Sequence, residues 1–156
     1  DRNVHDNLLF VLKATGWSEK QEMDVKINEV LDKVGLKGAA HKMPHQISGG
    51  EQQRIAVARA LLNDAEVILA DEPTGSLDSR SSDEVLRIFG KINNSGQTIL
   101  MVTHSVKAAC HANRVLFIKD GCIYHQLYKA SGSNDEFYQK ISDTLTIIAT
   151  GGERNE

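Results

Sequence analysis

Two short apolar runs, separated by a segment of helical period, constrain the fold of this chain most strongly. Residues 67–70 read VILA and residues 98–102 read TILMV, and polar residues flank each run. Apolar runs of this length suit strands of a parallel sheet that is buried on both faces. The segment between them, residues 78–94, carries apolar side chains on one helical face: Val85, Ile88, Phe89 and Ile92. The order strand, helix, strand predicts an α/β fold.

Helical periods also precede these runs. A short helix over residues 4–15 is expected to stop at Gly16. Ser18, with Gln21 three residues later, is expected to cap a second helix. The apolar positions of that second helix repeat with a helical period: Met23, Ile27, Val30, Leu31 and Val34.

A glycine pair opens a third predicted helix. The segment ISGGEQQR occupies residues 47–54, and the helix is expected to run from Ser48 to about Leu62, with Glu51 completing a capping box. Glycines before a helix let the backbone amides approach a phosphate, so this terminus is a candidate anion site. Taken alone, the tripeptide SGG is better explained as a flexible helix entry; the continuation EQQR raises its specificity.

The end of the chain predicts a β-hairpin and a last helix. The dipeptide Asp120-Gly121, a strong hairpin turn signal, separates residues 114–119 from residues 122–128. Apolar residues then return at helical spacing: Phe137, Ile141, Leu145 and Ile148. The polar tail from Gly151 is expected to fray.

Composition excludes several classes of protein. The chain has 156 residues, of which 40% are hydrophobic and 25% charged, with a formal net charge of −3. This balance gives no electrostatic attraction to nucleic acid. No apolar run reaches the roughly 18 residues of a membrane span. Cys110 and Cys122 lack metal-ligand spacing, and two plain thiols suit a reducing cytosol.

Two adjacent carboxylates follow the first apolar run. Asp71 and Glu72 are expected at the carboxyl end of a buried strand, where open α/β sheets bind ligands. Neighbouring side chains on an extended strand point to opposite sides, so the two carboxylates are expected to have different tasks. Asp71 suits Mg²⁺, which prefers oxygen ligands, and Glu72 suits a general base. A solvated acidic turn is the alternative for this pair alone.

Two later motifs complete the set. Ser76-Leu77-Asp78 begins the next predicted helix, and Asp78 is placed to cap it. His104 follows the second apolar run as Glu72 follows the first. A lone histidine after a strand is more often a hydrogen-bonded loop residue. Arg54 and Arg59 are interpreted as part of a solvated helix face.

These motifs, in this order, resemble the later part of the ATPase domain of ABC transporters. The resemblance implies an α/β fold of the P-loop NTPase type, with a helical subdomain over residues 1–62. The second part of the parallel-sheet core, the hairpin and the C-terminal helix would occupy residues 63–150, and a tail residues 151–156. In that family the glycine segment serves the ATP bound to the opposite subunit. The resemblance therefore implies a head-to-tail dimer with two composite sites.

The resemblance also implies a role for each motif residue. Asp71 would hold Mg²⁺, Glu72 would activate the water that attacks the γ-phosphate of ATP, and His104 would contact that phosphate. Residues at the remaining motif positions would bind the nucleotide: Ser48, Gly49, Gly50, Gln52, Ser76 and Asp78.

Within the family, DEPTGSLD at residues 71–78 resembles the branch with LolD, MacB, FtsE and the bacitracin exporters. This branch implies a peripheral ATPase at the cytoplasmic face of the cell membrane, driving a permease that exports or extracts a peptide, lipoprotein or drug-like substrate. Residues 78–82 and 124–126 resemble the antimicrobial-peptide exporters, whereas residues 1–4 and 42–45 resemble the cell-division member. The alternatives are a cell-division ATPase regulating a membrane partner, a non-transport ABC ATPase, and a non-catalytic module that pairs with another chain.

One expected motif does not occur in the sequence. A phosphate loop needs Gly-x-x-x-x-Gly-Lys followed by Ser or Thr, but Gly90-Lys91 lies in a predicted helix and precedes Ile92. The family's phosphate loop would precede residue 1, so we expect a fragment of a longer polypeptide. Without that lysine the chain alone is expected to be inactive. Its strands are expected to leave an open apolar edge.

Overall fold

Three helices and a short 3₁₀ turn begin the fold. The helices are α1 (Val4–Ala14), α2 (Lys20–Lys33) and α3 (Gly49–Leu61), and the turn, Pro44–Gln46, precedes α3. The computed structural model describes residues 2–130 and 133–150, so the predicted tail from Gly151 lies outside the described residues.

The period of the second helix and the end of the first are confirmed, and the predicted cap of the second helix is not. All five predicted apolar positions of the second helix are buried. Gly16 follows α1 with a φ of +93°, a conformation that favours glycine and ends a helix. The predicted cap at Ser18 is wrong, because α2 begins at Lys20 and its N-cap is Glu19, which makes no side-chain cap hydrogen bond. Ser18 therefore lies one residue outside the cap position.

A strand–helix–strand unit follows. Strands β1 (Val67–Asp71) and β2 (Thr98–Val102) pair in parallel, with Val67 opposite Thr98 and Asp71 opposite Val102. Helix α4 (Ser79–Asn94) connects them, and its predicted apolar face is buried. The predicted α/β fold class is confirmed.

The prediction that both strands are buried on both faces is wrong. Ile68 is 4% exposed and packs in the helical core, whereas Leu69 is 75% and Leu100 54% exposed on the opposite face. Within residues 2–130 and 133–150 this sheet has two strands, and the helical core packs on the face that carries Ile68. An apolar run alone does not reveal how many layers pack on a strand.

The chain divides into two compact units at Val102 and Thr103. The first contains the elements from α1 to β2. The sequence-based division after residue 62 follows motifs instead of packing and stays a prediction.

The second unit contains a short helix α5 (Val106–Ala109), a hairpin of β3 (Arg114–Lys119) and β4 (Cys122–Tyr128), and helix α6 (Asn134–Ala149). The hairpin is confirmed, and both turn residues have positive φ, 52° at Asp120 and 78° at Gly121. Phe117, Phe137 and Ile141 form its core.

Two details of this unit differ from the sequence expectation. Leu145 of α6 is 41% exposed, although the helical period placed it with the core. Helix α5 was not predicted, since four residues are too few to show a period.

Both cysteines are free, Cys110 buried and Cys122 exposed. No helix among the described residues is long and apolar enough to span a bilayer.

Candidate functional site

The amino terminus of α3 is held by a reciprocal capping box. The backbone amide of Glu51 donates to Oγ of Ser48 at 3.3 Å, and Oε2 of Glu51 accepts from the Ser48 amide at 2.9 Å. Oε1 of Glu51 accepts from Nζ of Lys42 at 2.9 Å. The Ser48 amide first, and then Lys42, lower the pKa of Glu51 to about 2. The predicted capping box is confirmed, and Glu51 is an ionised anchor of this terminus.

The glycine pair meets the beginning of α4. A Cβ added to Gly50 would lie 2.8 Å from Oγ and 2.9 Å from Cβ of Ser81, which real side chains do not tolerate. A Cβ on Gly49 would be in ordinary contact, 3.7 Å from Cδ2 of Leu77. Gly50 is therefore required by close packing, while Gly49 is exposed and leaves the helix terminus open to a ligand.

Gln52 and Asp78 support the two helix starts. Nε2 of Gln52 donates to the carbonyl oxygen of Ile47 at 3.3 Å, across the entry to α3. Asp78 caps α4: Oδ1 accepts from the Ser81 amide at 3.0 Å and Oδ2 from the Ser81 hydroxyl at 2.7 Å. These bonds, the amide's first, lower the pKa of Asp78. The predicted cap at Asp78 is confirmed, and Ser76 lies exposed in the preceding turn.

The acidic pair stands where β1 ends. Asp71 is the last strand residue and is exposed, although the sequence placed it at the end of a buried strand. Glu72 is half-buried and has a φ of +43°, so it is not on an extended strand. Its amide donates to the carbonyl oxygen of Val102 at 2.8 Å, and its own carbonyl accepts from the Gly75 amide at 3.1 Å. The different environments of the two carboxylates arise from this turn and not from strand alternation.

The carboxyl end of β1 offers few side chains that could bind a metal ion. Among the described residues no group of three or more His, Cys, Asp or Glu side chains is arranged to hold a metal ion. Mg²⁺ is commonly bound through one or two carboxylates together with phosphate oxygens and waters. The exposed carboxylate of Asp71 fits that arrangement, in which the ligand brings most of the oxygens.

His104 belongs to the second unit. It is exposed and lies between β2 and α5. Its neighbours are ordered by local bonds: the Ser105 amide donates to Oγ1 of Thr103 at 3.0 Å, and Oγ of Ser105 accepts from the Ala108 amide at 3.2 Å. The predicted residues from Ser48 to Asp78 thus lie within the first unit, and His104 lies in the second.

Comparison with known proteins identifies this combination of elements. The sequence model of the ABC transporter family matches residues 2–75, which include the glycine segment and the acidic pair. A solved ATP-binding cassette, MJ0796, crystallised as a dimer in a post-hydrolysis state with ADP and Pi, superimposes with a TM-score of 0.65. It is 34% identical, and the match covers 81% of this chain and 56% of that one. The chain belongs to the ATP-binding domains of ABC transporters.

Two curated relatives of this ABC domain carry names from export. The bacitracin export ATP-binding protein BceA of Halalkalibacterium halodurans is 40% identical over 98% of this chain and 60% of its own length. The macrolide export ATP-binding/permease protein MacB of Hyphomonas neptunium is 54% identical over 72% of this chain and 17% of its own length. The chain therefore spans little more than half of BceA and a small part of MacB.

The sequence analysis missed one residue at the centre of this ABC domain. Arg54 was assigned to a solvated face, but its side chain is 18% exposed. A signal was present, because Arg54 lies four residues after Gly50 and four before Ala58, and both of these are buried. The helical period therefore places Arg54 on the inward face. Arg59 is exposed, as expected.

Proposed function

We propose that this chain is the later part of the ATP-binding and ATP-hydrolysing subunit of an ABC transporter. One observation carries the proposal: the open amino terminus of α3 and the acidic turn after β1 belong to the same packed unit. Leu77 of that turn and Ser81 of α4 contact the glycine pair. A helix terminus favours phosphate, and the carboxyl ends of parallel strands favour nucleotide ligands. The similar cassette, a dimer bound to ADP and Pi, supports nucleotide binding by a unit that carries both features.

Glu72 and Asp71 would have different roles in ATP hydrolysis. Glu72 would orient and deprotonate the attacking water, and Asp71 would hold Mg²⁺ through its hydration shell and the phosphate oxygens. When bound, Mg²⁺ neutralises charge that develops on the phosphate oxygens. His104 would contact the γ-phosphate as a hydrogen-bond partner of the bound nucleotide. The half-buried position of Glu72 supports a base in a restricted environment, and the exposure of Asp71 supports a hydrated ligand.

The glycine segment would act across a dimer. Ser48, Gly49, Gly50 and Gln52 would bind the ATP held by a second ATPase subunit in a head-to-tail pair. Ser76 and Asp78 would lie at the same interface and connect the two ATP sites. The exposure of Gly49, Ser48 and Ser76 supports contacts outside this chain, and so does the dimeric form of the similar cassette.

The partner outside the ATPase pair would be an integral membrane permease. The relatives' names link ATP binding with bacitracin export in one case and with a permease in the other. We propose the same class of task here: export or extraction of a peptide, lipoprotein or drug-like substrate, by a subunit peripheral to the cytoplasmic face of the cell membrane. These relatives favour export over the cell-division and non-transport alternatives.

The chain alone is proposed to be inactive. Its sequence holds no Gly-x-x-x-x-Gly-Lys-Ser/Thr segment, and the lysine and amides of that loop supply much of the stabilisation of a transferring phosphoryl group. The full-length subunit, meaning this chain together with a phosphate-loop half, is proposed to hydrolyse ATP.

The test compares Glu72→Gln with Glu66→Gln in the full-length subunit. Glu66 is exposed and precedes β1, at the opposite end of the strand from Glu72. We expect Glu72→Gln to lower ATP turnover by about 100-fold or more while Mg-ATP binding persists, because the amide cannot accept the water's proton. Glu66→Gln is expected to match the wild type. Equal turnover in both variants would refute the assignment of Glu72, and turnover by the 156-residue chain alone would refute its proposed inactivity.

A further inference from the structure

The side chain of Arg54 lies at a junction of three helices. Its Nη1 atom is 3.7 Å from Oε2 of Glu84 on α4. The same atom lies 3.6 Å from the place where a Cβ of Gly35, just beyond α2, would stand. Gly35 has a φ of +69°, a conformation that favours glycine in this turn. Arg54 thus reaches from α3 toward the turn after α2 and the face of α4.

The Arg54 guanidinium is poorly compensated. Among the described side chains, its Nε is the buried nitrogen or oxygen atom that has no hydrogen-bond partner. The Glu84 carboxylate is therefore the anion that offsets a desolvated charge, and it is itself only 34% exposed. Removing the Glu84 carboxylate leaves the Arg54 guanidinium, which is 18% exposed, with little water to replace its partner. Arg80 also approaches Glu84, at 3.7 Å, but Arg80 is 91% exposed and can be hydrated.

Two contacts, in the same order along both helices, join α3 to α4. Gly50 packs on Ser81 in the first turns, and one turn later Arg54 pairs with Glu84. Both helices also share an apolar core, and two contacts a turn apart fix the separation and the direction of their first turns. The segments whose placement is fixed in this way are the glycine pair at the start of α3 and the turn ending at Asp78 before α4.

We propose that Arg54 is a positioning residue for ATP hydrolysis: through Glu84 it holds the glycine segment and the 76–78 turn as one unit. This inference rests on the proposed function, in which both segments face the ATP of a dimer. Arg54 itself touches no nucleotide. Its removal lets the two segments shift relative to each other, so the composite site closes less accurately although each segment keeps its own helix cap. The consequence is slower turnover at unchanged nucleotide affinity, because the phosphate loop supplies most of that affinity.

The experiment measures ATPase kinetics and Mg-ATP binding of the full-length subunit with Arg54→Met, Arg54→Lys, Glu84→Gln and Arg59→Met. Methionine keeps the length of the side chain and removes its charge, and lysine restores the charge. Arg59 lies on the same helix and is exposed, so its variant is the matched control. For Arg54→Met and Glu84→Gln we expect kcat to fall about tenfold, equivalent to about 1.4 kcal/mol. The Kd for Mg-ATP is expected to change by less than about twofold, the pattern of an interaction used only in turnover. Arg54→Lys is expected to recover part of kcat.

Hydrogen exchange on the full-length subunit checks the physical basis without any activity. In Arg54→Met the amides of residues 49–52 and 79–82 are expected to exchange faster together, while those of α1 are unchanged. This readout remains available if a variant is too unstable for kinetics.

The outcomes separate this inference from the proposed function. A wild-type subunit without ATPase activity would refute the proposed function and this inference with it. An active wild type, with folded Arg54→Met and Glu84→Gln variants at wild-type kcat, would refute the role of Arg54 alone. Unchanged hydrogen exchange of residues 49–52 and 79–82 in Arg54→Met would also refute the role of Arg54. A fall in kcat matched by the Arg59→Met control would also count against it, because the effect would then not depend on Glu84.

Discussion

The capping box at Glu51 offers a stability prediction that can be worked from the structure. Glu51→Gln keeps an oxygen that can accept from the Ser48 amide but removes the negative charge. The pKa of Glu51 falls from 4.5 to about 2 on folding, chiefly through the Ser48 amide and then Lys42. At about 1.4 kcal/mol for each pH unit, this shift corresponds to at most about 3.5 kcal/mol of folding free energy.

Solvent reduces that figure. The Glu51 side chain is 20% and the Lys42 side chain 41% exposed, so part of their attraction is screened. We therefore expect Glu51→Gln to lower the free energy of unfolding at pH 7 by about 1–2 kcal/mol. Because the folded pKa is depressed, the carboxylate's contribution is complete above about pH 5 and is lost as pH falls from about 4.5 toward about 2.

Urea unfolding followed by circular dichroism, at pH 7, 5, 4 and 3, measures this difference. The gap between wild type and Glu51→Gln is expected to narrow steadily below pH 5. Glu19→Gln is the control, since Glu19 is exposed at the start of α2 and makes no side-chain cap bond. Equal stability of Glu51→Gln and wild type at pH 7, or a gap that does not change with pH, would refute the electrostatic account of this cap.

Two further predictions concern packing. Gly50→Ala is expected to cost about 1–3 kcal/mol in urea unfolding, because its Cβ overlaps Ser81, whereas Gly49→Ala costs less. Relief of the Gly50→Ala defect by Ser81→Gly would support the contact, and equal effects of the two alanine variants would contradict it. Leu69→Ser is expected to change stability by less than about 0.5 kcal/mol while reducing self-association in size-exclusion chromatography, because Leu69 is 75% exposed on an apolar sheet face. If Leu69→Ser self-associates as much as the wild type, the apolar sheet face does not cause the self-association.

Local signals in the sequence were sufficient for most elements. The capping box of α3, the Asp78 cap of α4 and the Asp120-Gly121 turn each depend on residues within a few positions of one another. Such signals are readable because their hydrogen bonds and dihedral angles involve neighbours in the chain. The predicted cap at Ser18 failed for a related reason: a cap depends on one position, and the observed start of α2 makes Glu19 the cap residue instead.

Features that depend on distant residues were not readable in the same way. The apolar runs predicted strands correctly but not the exposure of Leu69 and Leu100, which depends on what packs above the sheet. The ion pair of Arg54 with Glu84 joins positions on different helices. The period of α3 could place Arg54 inward, but nothing local could name its partner.

The backbone of Glu72 shows how such a distant contact prepares the candidate site. A φ of +43° is unusual for a residue with a Cβ and costs about 1–2 kcal/mol relative to ordinary conformations. The bond from the Glu72 amide to Val102 fixes the residue to the end of β2, and the Gly75 amide closes the turn on its carbonyl. A Cβ at Gly75 would lie 3.5 Å from the Cβ of Glu72, so the turn packs closely around this side chain.

The unusual φ of Glu72 therefore depends on the pairing of β1 with β2. If the proposed role of Glu72 is correct, the strand register sets the direction of the catalytic carboxylate, since a shift of β2 would remove the acceptor at Val102 and allow the peptide to relax. The adjacent sequence DE predicts two acidic groups but not this geometry, because the second strand begins 26 residues after Glu72. The position of the carboxylate is thus a tertiary property of the sheet, although its identity is evident from the sequence.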